Sequence, residues 1–240
     1  MMINCDMGER GINSPEDLEL MKLIDIANIA CGGHSGDRQS VDFYSDYARA
    51  YKVKLSAHLS YPDKENFGRI SMKLPMDEFI AALDRQYSLM DSINTVKFHG
   101  ALYNDSCRYS SLAESLVFWM KSVHIREIIC PENSFIADYS RDSNIHVIGE
   151  AFAERTYTFN ISENRLMLTG RDKDYAVIKD VYAAVEQVHQ IENSHMVTAF
   201  VDDGISVSRT DNFPINAQTV CIHSDSTIAL DLARRLCSDE

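Results

Sequence analysis

The chain has 240 residues, 45% hydrophobic and 25% charged, the balance of a globular protein. Its formal net charge is −13, with no runs of Lys or Arg, which argues against nucleic acid or an anionic membrane surface as the main partner. Its six cysteines form no CxxC pair, no signal peptide precedes the first strand, and no apolar run approaches the ~18 residues of a membrane span, so a cytoplasmic protein with reduced thiols is expected.

"MINC" reads as a first strand, followed by Ser14-Pro15-Glu16-Asp17, an N-cap with Pro at the first helical position and early acids. "NIAC" is a second extended run, and Val41, Tyr44, Ala48 and Tyr51 then recur at helical spacing. "VKLSA" is the third strand. Met76, Phe79, Ile80, Leu83, Tyr87 and Met90 form an amphipathic helix, and "TVKF" is the fourth strand. Ser111 and Glu114 carry a capping-box signature for the next helix. "REIIC" and "IHVIGEAF" are the fifth and sixth strands. "YTFNISENRLML" reads as a hairpin turning at Ser-Glu-Asn, and a long helix carries Ile178, Val181, Tyr182, Val185 and Val188. "VTAFVDDGISVS" is a second hairpin around Asp203-Gly204, "TVCI" is the last strand, and Ser226 caps the terminal helix. Strand–helix alternation predicts a mainly parallel α/β sheet of about seven strands, closed or nearly closed into a barrel, with an open doubly wound sheet as the alternative. No linker-like segment divides the chain, so residues 1–240 are read as one domain.

Four strand-like runs end in the same way: "IACGGHSGD", "KLSAHLSYPD", "TVKFHGALYND" and "TVCIHSDS". They present His34, His58, His99 and His223, each with an aspartate shortly after it: Asp37, Asp63, Asp105 and Asp225. The first strand ends comparably, with Asp6 and Glu9. In a parallel α/β architecture all strand C-termini lie at one face, so these residues converge on one pocket. Lys97 precedes His99 by two positions and points to the same side of its strand. His124, His146, His189 and His195 lack this context. Histidines beside carboxylates pass protons near neutral pH, or hold a divalent metal that activates water; the sequence leaves both open. Cys5 and Cys31 near the same face read as packing rather than nucleophiles. Neither GxxxxGK[ST] nor GxGxxG occurs, so the chain carries no phosphate cradle of its own.

With "NCDMGE", "NIACGGHSGD", "AHLSYPDKENFGR", "VKFHGALYN", "EAFAERTY" and "CIHSD" in this order, residues 3 to about 226 resemble the LamB/YcsF family of 5-oxoprolinase A subunits. The resemblance implies a seven-stranded, distorted TIM-barrel-like fold of the glycoside hydrolase/deacetylase type. It implies ATP-dependent hydrolytic opening of 5-oxoproline, or a related lactam, to L-glutamate, with partner subunits B and C that bind the ATP. Asp6, His34, His58 and His99 would then be catalytic. Glu9, Asn28, Arg69, Lys97, Tyr103 and Arg155 would contact substrate, and Asp6, His34 and His58 are the candidate metal ligands. The family's aromatic-rich stretch after its first motif is shortened to "RGIN". Where the family carries Phe, Ala, "HPG", "KPH", Asp and Gly, this chain has Gly33, Ser35, "HLS" at 58–60, Phe98, Glu154 and Ser224. The polar set survives while its lining changes. Two other readings remain: a stand-alone metal-dependent deacetylase or amidohydrolase, and a non-catalytic subunit that organises partners.

Overall fold

The computed structural model describes residues 1–90, 92–204 and 207–238. In chain order the elements are β1 (Met2–Met7), α1 (Pro15–Leu20), β2 (Ile26–Ala30), α2 (Arg38–Tyr51), β3 (Lys54–Leu59), α3 (Met76–Tyr87), β4 (Thr95–Phe98), α4 (Gly100–Arg108), α5 (Ser110–Ser122), β5 (Glu127–Cys130), α6 (Phe135–Asp142), β6 (His146–Phe152), β7 (Tyr157–Asn160), β8 (Arg165–Leu168), α7 (Val181–Ser194), β9 (Met196–Asp202), β10 (Val207–Pro214), β11 (Thr219–Ile222) and α8 (Ala229–Ser238). Seven strands close into a parallel barrel in the order β1-β11-β6-β5-β4-β3-β2. The expected α/β TIM-barrel-like architecture is therefore present, and the open-sheet alternative is not. A second sheet, β10-β9-β7-β8, packs both expected hairpins side by side through parallel pairing of β7 with β9. Ile205 and Ser206 of the second hairpin lie outside the described residues.

The barrel strands are buried along almost their whole length because helices cover the outside and side chains fill the inside. Polar residues take alternate inward positions: Asn4 and Asp6 on β1, Ser56 and His58 on β3, Thr95 and Lys97 on β4. Local chemistry fixes the helix starts. Ser14 accepts the Asp17 N–H at 3.4 Å with Pro15 next to it, as expected, and Asp37 with Ser40 forms a full capping box for α2.

Three boundaries differ from expectation. The chain turns directly from β4 into α4 after His99, and α5 begins at Ser110 with Tyr109 as its cap residue. Ser111 is thus inside the first turn of α5, which has no side-chain cap, so the predicted capping box is absent. Ile178 precedes α7 rather than belonging to it, and Ser226 sits in the turn before α8, where its Oγ accepts the Ile228 N–H at 3.5 Å. The helix α6, with Ser134 capping Ala137, spans only eight residues, too short a window to be read.

Candidate active site

The C-terminal ends of the barrel strands surround a cavity of about 230 Å³. Its floor is a buried charge network. Lys97 Nζ lies 3.0 Å from Asp6 Oδ1, 2.8 Å from Glu150 Oε1, 3.1 Å from Asn4 Oδ1 and 3.0 Å from Cys221 Sγ. Tyr103 donates its hydroxyl to the other oxygen of Glu150 at 2.7 Å. Burial pushes the Asp6 carboxyl up, but His58 and Lys97 beside it outweigh this and hold it well below the ordinary range. Burial likewise works against the charge of Lys97, but Asp6, Cys221 and Glu150 keep its basicity well above normal. An ammonium–carboxylate pair therefore persists in the barrel interior.

Above the floor, one carboxylate oxygen gathers three imidazoles. Glu9 Oε1 lies 2.8 Å from His34 Nε2, 3.4 Å from His99 Nδ1 and 3.7 Å from His58 Nε2, while His58 Nε2 and His99 Nδ1 are 3.0 Å apart. The rings of His34 and His99 stack, with centroids 3.6 Å apart and planes within 4°. The 61–69 loop crosses directly over them. Gly68 and Gly100 both have positive φ, and a Cβ on Gly100 would stand 2.5 Å from the Gly68 carbonyl, so only glycine admits this approach. Burial, Asp6 and other neighbours set the Glu9 carboxyl at about 7, and burial drives His34 down to about 3. His99 is also held well below the usual imidazole range by burial and by His34 and His58.

The opposite wall is cationic. Arg155 is buried and donates to the Thr169 and Ala176 carbonyls, at 2.6 and 3.1 Å, rather than to a carboxylate. Burial and the neighbouring Arg171 lower its basicity to about 10. Arg171 lines the same wall, whereas Arg69 is paired with Asp225 at 3.3 Å. His223 also borders the cavity, and its Nδ1 is held by Glu154.

Of the residues singled out from the sequence, Asp6, Glu9, His58, Arg69, Lys97, His99, Tyr103 and Arg155 line this one cavity. His34 and Asn28 do not. His34 lies behind the wall as the stacking partner of His99, and Asn28 lies beneath the floor, donating to Asn4 Oδ1 and Asp6 Oδ1 at 2.8 and 3.0 Å. Of the aspartates that follow the four histidines, Asp225 alone borders the cavity; Asp37 caps α2, Asp63 closes a turn at Asn66, and Asp105 accepts from Tyr61. Cys5 and Cys31 are buried, and burial raises both thiols, Cys31 to about 12. Glu150 and Arg171 were not read from the sequence. Glu150 had a signal, a lone charge within the apolar run "HVIGEAF", which demands a buried partner.

The donors fit a divalent ion in part. Glu9, His58 and His99 keep their ligand atoms 3.0–3.7 Å apart, the spacing around an ion with bonds of roughly 2.0–2.2 Å, and His99 Nε2 lies 3.0 Å from the Phe67 carbonyl as an outer partner. His34 and His99 cannot both ligate one ion, because one ion cannot lie in two parallel ring planes 3.6 Å apart, and of the two only His99 lines the cavity. Asp6 groups instead with Cys221 and His223, and the Lys97 ammonium already lies against Asp6 and Cys221. Of the ligand set expected from the sequence, Asp6 Oδ2 and His58 Nε2 lie 3.4 Å apart and His34 groups with Glu9, His58 and His99; the set Glu9, His58 and His99 has the closest spacing within the cavity.

Among the described residues no helix is long and apolar enough to cross a membrane. The profile of the LamB/YcsF family matches residues 1–239. The chain is 32% identical to the A subunit of 5-oxoprolinase from Vibrio cholerae serotype O1, covering 98% of this chain and 96% of that one. It is 30% identical to the protein of the same name from Haemophilus influenzae strain PittGG, covering 98% and 93%. The crystal structure of a lactam utilization protein from Thermus thermophilus superposes with a TM-score of 0.81 over 99% of this chain and 94% of that one; at 24% identity this likeness speaks for the fold.

Proposed function

Because this chain belongs to the LamB/YcsF family, we propose that it is the A subunit of an ATP-dependent 5-oxoprolinase, hydrolysing the lactam of 5-oxoproline to give L-glutamate together with subunits B and C. The observation that carries this reading is the cavity: an ionised Asp6, a carboxyl–imidazole cluster and a buried arginine without a carboxylate partner face one small space. Its 230 Å³ falls below the roughly 300–1,000 Å³ of sites for drug-sized ligands, which suits a five-membered ring. The cationic wall suits the carboxylate of 5-oxoproline. Of the three cations expected to meet it, Lys97 is taken by Asp6 and Glu150, and Arg69 by Asp225, which leaves Arg155.

In hydrolysis, water adds to the lactam carbonyl carbon, the C–N bond breaks, and the ring nitrogen takes a proton. Lys97, held between Asp6 and Glu150, keeps Asp6 ionised at the floor of the site. Glu9, poised at about 7, exchanges protons with the imidazoles around it. A divalent ion held by Glu9, His58 and His99 would add Lewis-acid polarisation of the carbonyl. ATP would be bound and spent by the partner subunits, in keeping with the lack of a phosphate loop in this chain.

The test is reconstitution. The chain mixed with subunits B and C, ATP and 5-oxoproline should release glutamate, and omitting any one component should stop it. No glutamate from the full mixture overturns the reading. The spacing of Glu9, His58 and His99 also favours a second reading, a stand-alone metal-dependent amidohydrolase. That reading requires stoichiometric metal by elemental analysis and turnover of a simple amide without partners or ATP.

A further inference from the structure

We propose that His223, oriented by Glu154, is the base that activates the water in lactam opening, a role that rests on the lactam-hydrolase reading above. His223 follows β11 directly and borders two adjoining cavities, the one already described and a second of about 380 Å³ reached across Arg155, Arg171 and Asp225. Glu154 Oε1 accepts the backbone N–H of His223 at 2.9 Å and also meets Nδ1 of the same ring. An oxygen that already accepts a backbone N–H is the unprotonated one, so Nδ1 carries the ring proton and Nε2 keeps its lone pair. The ring is further held by Phe152, centroids 5.4 Å apart and planes 23° apart. Nε2 makes no hydrogen bond among the described residues. This is the arrangement of a carboxylate–imidazole base: one nitrogen fixed by an acid, the other open.

The other strand-end histidines are differently placed. His34 lies behind the cavity wall against Glu9, and His58 and His99 turn Nε2 and Nδ1 toward each other. They form a cluster around Glu9, whereas His223 lies outside it, at the boundary shared by the two cavities. The balance is simple. Water loses a proton to His223 Nε2 as its oxygen bonds to the lactam carbon; the C–N bond then breaks, and the ring nitrogen takes that proton, returning His223 to its neutral form. Glu154 acts through His223 and is a positioning residue. It stands where the resembling family carries Asp, one methylene shorter.

The experiment uses the complex reconstituted with subunits B and C. His223→Ala and His223→Asn should each lower kcat by roughly 100-fold or more, the usual range for loss of a proton-transfer group, with KM and calorimetric 5-oxoproline affinity within twofold. Added imidazole should restore at least tenfold of the activity of His223→Ala. Glu154→Gln should lower kcat about tenfold or more at unchanged KM, without rescue by imidazole. The proposal is overturned if both His223 variants keep kcat within threefold of wild type, if kcat and 5-oxoproline binding fall together, or if imidazole leaves a folded His223→Ala inactive. An active wild type with active His223 variants rejects this role alone; a silent wild-type complex rejects the lactam reading and this role together.

Discussion

Lys97 stands between two carboxylates, Asp6 and Glu150, at 2% exposure, and its charge is the reason both can stay deep in the barrel. Removing it leaves two buried acids without a counter-charge. Lys97→Met should therefore lower the free energy of unfolding in urea by about 3–5 kcal/mol, the cost of breaking a buried pair on one side. It should also abolish turnover in the reconstituted complex; an unchanged urea midpoint would show that the network carries no net charge to lose. Arg171 sits at the other extreme. It is exposed at the cavity rim, and no ion pair holds it among the described residues, so Arg171→Ala should leave the melting temperature within a degree or two. Beside Arg155 on the cationic wall it shares the substrate carboxylate, so one charge-assisted hydrogen bond is lost, about 1.5–3 kcal/mol, and KM for 5-oxoproline rises about tenfold or more. A neutral lactam without the carboxylate should show no such change. Lys97 was legible because it shares a strand face with His99. Arg171 was not, because it follows a hairpin whose docking against the barrel no local pattern encodes.

Two departures from the family motifs meet in one space bounded by three elements. Gly33, where the resembling family has Phe, follows β2; Ser60, where the family has Gly, follows β3; and Gln86 of α3 occupies the space between them. Gln86 donates to the Ser60 carbonyl at 2.9 Å and accepts the Ser60 N–H at 3.0 Å, which pins its amide. A Cβ on Gly33 would stand 2.3 Å from Gln86 Oε1 and 2.4 Å from Ser60 Oγ. Gly33→Ala should therefore cost about 1–3 kcal/mol, as overpacking does, and adding Gln86→Ala should recover part of that cost, a coupling visible in a double-mutant cycle of urea unfolding. Additive losses would mean that the space is not shared. Each motif could be read from the sequence by itself, but their meeting depends on α3 lying across both loops, which is a tertiary fact. The same limit explains the second sheet: the hairpins β7–β8 and β9–β10 are local, whereas the parallel pairing of β7 with β9 spans a helix and could not be seen from either hairpin.

At the scale of the molecule, closing the barrel brings residues from 6 to 223 to one rim, and this much was legible because parallel strands end on the same side. The depth of each residue at that rim was not legible: His34 shares the strand-end pattern but lies behind the wall, and Asn28, expected at the substrate, lies below the floor, since packing decides the layer. That layering makes the stability of the whole chain depend on pH in a way its net charge of −13 would not suggest. His34, at about 3, and His99, well below its usual range, stay neutral in the folded protein where the unfolded chain would bind protons below 6.5. Both favour unfolding as pH falls. Glu9, at about 7 against an ordinary 4.5, does the reverse: between these values the folded protein keeps a proton that the unfolded chain has lost, so its contribution falls as pH rises. From pH 6.5 to 4.5 the two histidines outweigh the one carboxyl by a single proton, and stability should fall on acidification by about 1.4 kcal/mol per pH unit. Below pH 4.5 Glu9 no longer opposes them and the slope should double, and Asp6, held well below its usual range when folded, steepens it further as the unfolded chain protonates near 3.8. Urea unfolding at half-unit steps from pH 7 to 3.5 should show the break near 4.5, and His34→Gln should flatten the upper segment. A chain that gains stability on acidification through this range would mean that the imidazole cluster is charged in the folded state, and that a neutral site linked through the Glu9 carboxyl does not form.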